Sequence, residues 1–285
     1  MSSNDNSTTT DEPIAAAGPD WPLINNVGAF WCGICFSTNL ILAIRLFSIM
    51  RRKPSALTRL CFAIAVIGAI HSLNQYFLTR FTSYEYTLCA FMYYGVGTFY
   101  YWGNTLCFLT LWVRSRIVKV GSQKMTPLDY AILPVIVLGF IAPIIYWFTV
   151  SFFPLNPDPF NPTFTTCMIN LTSFAIPTYY MGAVTPILGV LLTVKFAMPL
   201  MGNSMIKSPE LRRKAVKILA LTMVAVSMTM LNSFLALFWA ENYYQHILYP
   251  LDVTTNVIVL YLQFNVDGHA APAQTPSIPP PSSVR

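Results

Sequence analysis

One acid interrupts the apolar stretches of this chain at a depth where an acid is expensive. Asp252 lies within Asn242–Val266, a run otherwise free of charge, about three turns from its start. A carboxylate there is a functional feature by default, and it needs a partner. The partner is a cation, for which Asp252 is the counter-ion, or a hydrogen-bonding neighbour such as His71 or Asn74, in which case Asp252 joins helices. His71 and Asn74, in the run Leu60–Thr79, come to a similar depth, as does Asn232 in Ile218–Ala240. Tyr93, Val96, Gly97 and Tyr100 recur every three or four residues and so share one helix face, where tyrosines also serve plain helix packing.

Other chemistry is sparse. The histidines His71, His246 and His269 fall at different depths, and no nucleophile or metal spacing accompanies them, so an enzyme is not expected. Cys32 and Cys35 stand three apart, but with no acid or further histidine nearby they read as packing residues, and neither a metal nor another cofactor is expected. Cys89 and Cys167 alone fall on the outer side of the membrane topology derived next. An oxidising exterior would join them, the other reading being two separate thiols.

The elements that position these residues are seven apolar runs: Trp21–Ile44, Leu60–Thr79, Tyr86–Val113, Tyr130–Pro157, Thr172–Val194, Ile218–Ala240 and Asn242–Val266. Each reaches the roughly 20 residues a membrane-crossing helix needs. Almost all of the 17 Lys and Arg fall in the gaps after the first, third and fifth runs; only Arg80 occupies the alternate gaps. Basic loops stay cytoplasmic, which places the N-terminus outside and the C-terminus inside. Hydrophobic residues make up 55% and charged residues 10%, against about 25% charged in soluble domains. Mean hydropathy is +0.54. The net charge of +6 is therefore the positive-inside bias and gives no signal for nucleic acid.

The expected fold is an all-α bundle of seven transmembrane helices over 21–266. Residues 1–20 form a disordered extracellular tail carrying the glycosylation sequon at Asn6, and 267–285 a Pro/Ser-rich cytoplasmic tail. A second sequon, Asn170-Leu171-Thr172, lies close to the membrane. Proline density in Pro154–Pro162 excludes helix and predicts a turn. Pro134, Pro143, Pro177 and Pro186 predict kinks in the fourth and fifth helices.

These features resemble the rhodopsin-like G-protein-coupled receptors. That family bridges the top of helix 3 to the second outer loop, where Cys89 and Cys167 stand. It also places an arginine twenty-five positions after the helix 3 cysteine, which here is Arg114 in Leu111-Trp112-Val113-Arg114-Ser115-Arg116. Asn39 resembles the family's helix 1 asparagine, and Pro186 its helix 5 proline. The departures are Val113 and Ser115 beside Arg114, no Asp in helix 2, no Cys-Trp-x-Pro in helix 6, and the proline-free Asn256–Tyr261 in helix 7. The resemblance implies a receptor at the plasma membrane. Its outward-opening pocket would be lined by Asp252, His71, Asn74, Tyr93, Val96, Tyr100 and Asn232, and would suit a small, cationic extracellular ligand. It implies a heterotrimeric G protein docking against Arg114, Arg116, Lys119, Lys207, Arg212, Arg213, Lys214 and Lys217, charges that positive-inside anchoring also accounts for. Glu210 is a candidate resting partner for Arg114.

Two other classes compete. Leu251–Asn256 is similar to the retinal-binding segment of microbial rhodopsins, but Asn256 stands where the lysine should be, leaving only a retinal-free relative. A small-solute or ion transporter or channel would favour repeated halves and several buried charges.

Overall fold

The computed structural model describes residues 21–52, 54–80, 86–117, 127–149, 157–158, 161–165, 171–201, 209–238 and 245–268. Among them the chain forms seven helices: α1 (Trp21–Arg52), α2 (Ala56–Arg80), α3 (Tyr86–Ile117), α4 (Pro127–Thr149), α5 (Leu171–Met201), α6 (Pro209–Phe238) and α7 (Gln245–Gly268). Between α4 and α5 lie two short strands, β1 (Pro157–Asp158) and β2 (Asn161–Thr165).

Local chemistry sets several of these starts. α2 opens on a reciprocal cap, in which the Thr58 N–H donates to Ser55 Oγ at 3.1 Å and the Ser55 N–H to Thr58 Oγ1 at 2.9 Å. α4 and α6 begin at Pro127 and Pro209, first-turn positions where a missing N–H breaks no helical bond. α1 and α3 end on Arg51, Arg52 and on Arg114, Arg116, cations that suit a helix C-terminus.

The helices overrun the apolar runs. α1 continues past Ile44 to Arg52, and α6 starts at Pro209, before Ile218. Hydropathy marks only the depth of the hydrocarbon, whereas helical hydrogen bonding persists into the basic flanks. The opposite holds for the fourth run: α4 stops at Thr149, and Pro157 belongs to a strand. The proline-dense segment, expected only to turn, makes a small antiparallel hairpin with Pro157 opposite Thr165 and Asp158 opposite Asn161. This strand pair lies between α4 and α5, and the bundle itself is built of helices alone among the described residues.

The helices close in a ring, each packed on the next in sequence and α7 returning to α1, with further contacts of α2 on α7 and of α3 on α5 and α7. The burial pattern is inverted relative to a soluble domain. Asn39, His71, Gln75, Asn104, Arg114, Asp252, Asn256 and Gln263 are buried, while Phe30 is 71% and Ile187 66% exposed. Large apolar side chains face outward along every helix, and such a surface is stable only against hydrocarbon. Among the described residues, five helical spans are long and apolar enough to cross a membrane: Asn26–Arg52, Ala56–Arg80, Pro127–Tyr146, Tyr179–Met198 and Val216–Leu235. α7 contributes a shorter apolar helix, Ile247–Gln263. The chain is a membrane-embedded helical bundle.

The interior has two apolar clusters. The larger one packs Tyr100, Tyr101, Phe108 and Trp112 of α3 against Ile132, Ile136 and Phe140 of α4 and Leu188 and Leu192 of α5. The smaller one joins Leu46 of α1, Ile64 and Ala65 of α2, and Val257 and Leu260 of α7. Glycine permits the closest approaches. A Cβ at Gly68 would stand 3.0 Å from Val253 Cγ1 and 3.2 Å from Asn39 Nδ2, which brings α2 tightly onto α7 and α1. A Cβ at Gly189 would stand 2.6 Å from Val226 Cγ1, so α5 and α6 meet there without room for a methyl group.

Candidate functional site

Asp252 is wholly buried, and both carboxylate oxygens are engaged from three helices. Oδ1 accepts from Thr229 Oγ1 of α6 at 2.7 Å and from Asn256 Nδ2, one turn along α7, at 3.1 Å. Oδ2 accepts from the Tyr100 hydroxyl of α3 at 2.9 Å and from Asn232 Nδ2 of α6 at 3.4 Å. The donors also bond each other: Asn232 Nδ2 donates to Tyr100 Oη at 2.9 Å, and Asn256 Nδ2 to Thr229 Oγ1 at 3.0 Å. All four donors are neutral. A charge-assisted hydrogen bond contributes about 1.5–3 kcal/mol, so several of them offset much of the cost of burying the acid.

The partners expected from depth alone, His71 and Asn74, are not among the donors described at Asp252. His71 Nδ1 instead lies 3.1 Å from the Val96 carbonyl. A carbonyl only accepts, so Nδ1 carries the proton and Nε2 is left as an acceptor. The His71 ring meets the Tyr100 ring at a centroid distance of 5.8 Å, which places it behind the node. Asn74 packs against Gly95, whose absent Cβ would lie 2.8 Å from Asn74 Nδ2. Tyr249, one turn before Asp252, covers the Tyr100 ring at 4.5 Å. Of the residues singled out in sequence, Tyr100, Asn232 and Asp252 meet directly, and Val96 and His71 join through Tyr100 and the α2–α3 contact. The Tyr93 side chain lies outside those described.

A second polar node occupies the other end of the same three helices. Arg114, 4% exposed, donates to Gln263 Oε1 of α7. Gln263 Nε2 donates in turn to Thr222 Oγ1 at 3.0 Å and to the Ile218 carbonyl at 3.3 Å, both on α6. The seam has a seven-residue step: Tyr100 to Cys107 to Arg114 on α3, Thr222 to Thr229 on α6, and Asn256 to Gln263 on α7. Seven residues are about two turns, so one such step on α6 and α7 and two on α3 keep the residues of both nodes on the same helix faces.

Two further contacts brace the bundle. Asn39 Nδ2 donates to Thr254 Oγ1 at 3.0 Å and to Ser72 Oγ at 3.4 Å, supplying the interhelical partner that an amide at mid-membrane requires. Lys195 of α5 pairs with Asp129 in the first turn of α4, with the two side chains 12% and 3% exposed. Lys195, just past the fifth apolar run, thus belongs to a helix and not to a loop.

Several expectations fall outside the described residues: the Cys89–Cys167 pairing, Asn6 and its glycosylation, Lys119, and the side chains of Arg212, Lys214 and Glu210. Arg213 is exposed, and Arg116 lies over the Trp112 ring at 5.2 Å. Among the described residues no three His, Cys, Asp or Glu gather as metal ligands. Sequence reasoning missed Thr229, Thr222 and Gln263. Their only signal is the seven-residue step, which emerges once α3, α6 and α7 are known to share an interface. The chain matches no protein-family model and no characterised protein in sequence.

Proposed function

We propose that this chain is a seven-span membrane receptor of the plasma membrane, which binds a small extracellular ligand beside Asp252 and signals to a heterotrimeric G protein. The observation that carries the reading is the paired arrangement of nodes on α3, α6 and α7. One holds a buried carboxylate and the other a buried arginine, and the same three helices link them. A ligand that draws Tyr100 or Asn232 away from Asp252 would alter how α3 and α6 sit at that level. The Arg114–Gln263–Thr222 contacts would report the change at the other end. The concentration of basic residues in alternate gaps orients the Arg114 end toward the cytoplasm. There the basic ends of α3, α5 and α6 form the docking face, and coupling is a shift between two packings of α6.

The test is a coupling assay in cells with a broad set of Gα proteins, after surface delivery has been checked. Basal or ligand-raised activation is expected in wild type, with a loss of tenfold or more in Arg114→Ala, about 1.4 kcal/mol or more in coupling. Gln263→Leu, which removes the tie to α6, is expected to raise basal activation. A well-folded, surface-delivered chain silent with every Gα would overturn the reading and turn attention to ion or solute flux past Asp252.

A further inference from the structure

The Asp252 node is built so that its hydrogen bonds can run in either direction. Described from α6 inward, Asn232 Nδ2 donates to Tyr100 Oη at 2.9 Å and the Tyr100 hydroxyl donates to Asp252 Oδ2 at 2.9 Å. This direction suits a carboxylate, which only accepts. The Asn232 carboxamide is wholly buried, and its Oδ1 has no partner among the described residues. A half-turn of that amide exchanges Nδ2 for Oδ1 at nearly the same position. Tyr100 would then face an acceptor on α6 in place of a donor, freeing its own oxygen to accept from α7.

We propose that Asp252 is a proton-binding site, in which the Asn232–Tyr100–Asp252 chain reverses to hold a neutral carboxylic acid. One proton from the aqueous phase adds to Oδ2, and the carboxylate charge goes from −1 to zero. The new acid O–H donates to Tyr100 Oη, and the Tyr100 hydroxyl turns to Asn232 Oδ1. Both 2.9 Å separations serve unchanged. Thr229 and Asn256 continue to donate to Oδ1, now the carbonyl oxygen of the acid. No other covalent bond forms or breaks. The half-turn keeps the short bond to Tyr100 and gives up only the 3.4 Å contact of Asn232 Nδ2 with Asp252 Oδ2, the longest at the node.

The physical incentive is the absence of a cation among the donors. An ionised carboxylate at membrane depth with only neutral partners is far costlier than the neutral acid, and the donors offset that cost only in part. The groups that could titrate near Asp252 are few. α3 presents Tyr100 and, about two turns further along, Cys107; α7 itself presents Tyr249. α2 presents His71 behind the Tyr100 ring, and α1 presents Cys35 against Thr254 on the far side of α7. From α6 the contacting residues are Thr229 and Asn232, neither of which titrates. His71, held with Nδ1–H on the Val96 carbonyl, is the one rival proton acceptor, and the test separates the two.

Infrared difference spectra of the purified full chain in sodium-free lipid nanodiscs, acidic minus mildly alkaline buffer, read the acid directly. The expected result is a protonated-carboxyl C=O band that shifts down in heavy water, is lost in Asp252→Asn, and persists in His71→Gln. In Tyr100→Phe the band is expected at higher frequency, because the acid O–H has lost its acceptor. If Asp252→Asn does not fold, displacement of the band in Asp252→Glu makes the same assignment. The proposal is overturned by a wild-type spectrum without the band, by a band that survives Asp252→Asn, or by a band indifferent to Tyr100→Phe. Erasure of the band by sodium at constant pH would identify an alkali-cation site instead. None of these outcomes requires G-protein coupling, so the receptor reading and this one fail separately.

Discussion

Asp252→Ala is expected to lower the unfolding free energy by about 3 kcal/mol, and Asp252→Asn by less than half of that. The alanine change removes the acceptor that both Tyr100 and Thr229 face, and leaves buried donors without partners at about 1–3 kcal/mol each. Not every donor is stranded. Thr229 Oγ1 can turn to the Ala225 carbonyl, already 3.2 Å away, and Asn232 Nδ2 keeps Tyr100 Oη. The Tyr100 hydroxyl bears most of the loss, together with the space the carboxylate vacates. Asparagine keeps the shape, retains one acceptor for Thr229, and offers an N–H2 to a Tyr100 oxygen that can accept it. Thermal unfolding in detergent micelles decides the point. Equal losses for the two variants would mean that the node contributes through its charge, not through its hydrogen-bond pattern.

The second large effect belongs to the α4–α5 pair. Asp129→Ala removes the carboxylate that pairs with the largely buried Lys195, and breaking a buried ion pair from one side costs about 3–5 kcal/mol. With 12% of the Lys195 side chain still exposed, the lower end of that range is expected. The double change Asp129→Leu with Lys195→Met should recover most of the loss, since an apolar pair of similar volume avoids desolvating two charges. The same melting experiment on the two single variants and the double variant gives the coupling between them. Additive losses would show that the two charges act independently of each other.

How much of this was legible in the sequence depends on the kind of question. Asp252 and Asn39 stand out because a polar side chain in an apolar run needs a reason, and Arg114 through its spacing from Cys89; all three are buried at helix interfaces. Their partners did not stand out. Thr222 and Thr229 are ordinary in α6, and nothing in a single helix says which neighbour a threonine will face. Depth matched His71 with Asp252, but depth is one coordinate and rotation about the helix axis is another; Val96 and Tyr100 of α3 intervene. The hairpin at 157–165 was hidden for a related reason. Proline density excludes a helix without specifying what replaces it, and the pairing of Pro157 with Thr165 depends on backbone geometry that composition does not encode. Charge marks a loop only where no opposite charge on the adjacent helix holds it inside, as Asp129 of α4 holds Lys195.

α7 is bound on both sides at once: Thr254 to Asn39, Val253 against Gly68, and Asp252, Asn256 and Gln263 to α3 and α6. It is also made after the other six helices, which gives its polar residues a bearing on biosynthesis. Until α7 enters the bilayer, Asn39, Tyr100 and Thr222 lack the partners it brings, and a half-made chain presents unpaired polar groups to lipid or to the insertion machinery. A chain cut after Tyr244 should therefore be retained and degraded, and co-expression of residues 245–285 as a separate piece should rescue it. Equal lifetimes with and without that piece would argue otherwise. α7 then acts as the release signal by which the cell distinguishes a bundle whose polar residues are paired from one in which they are not.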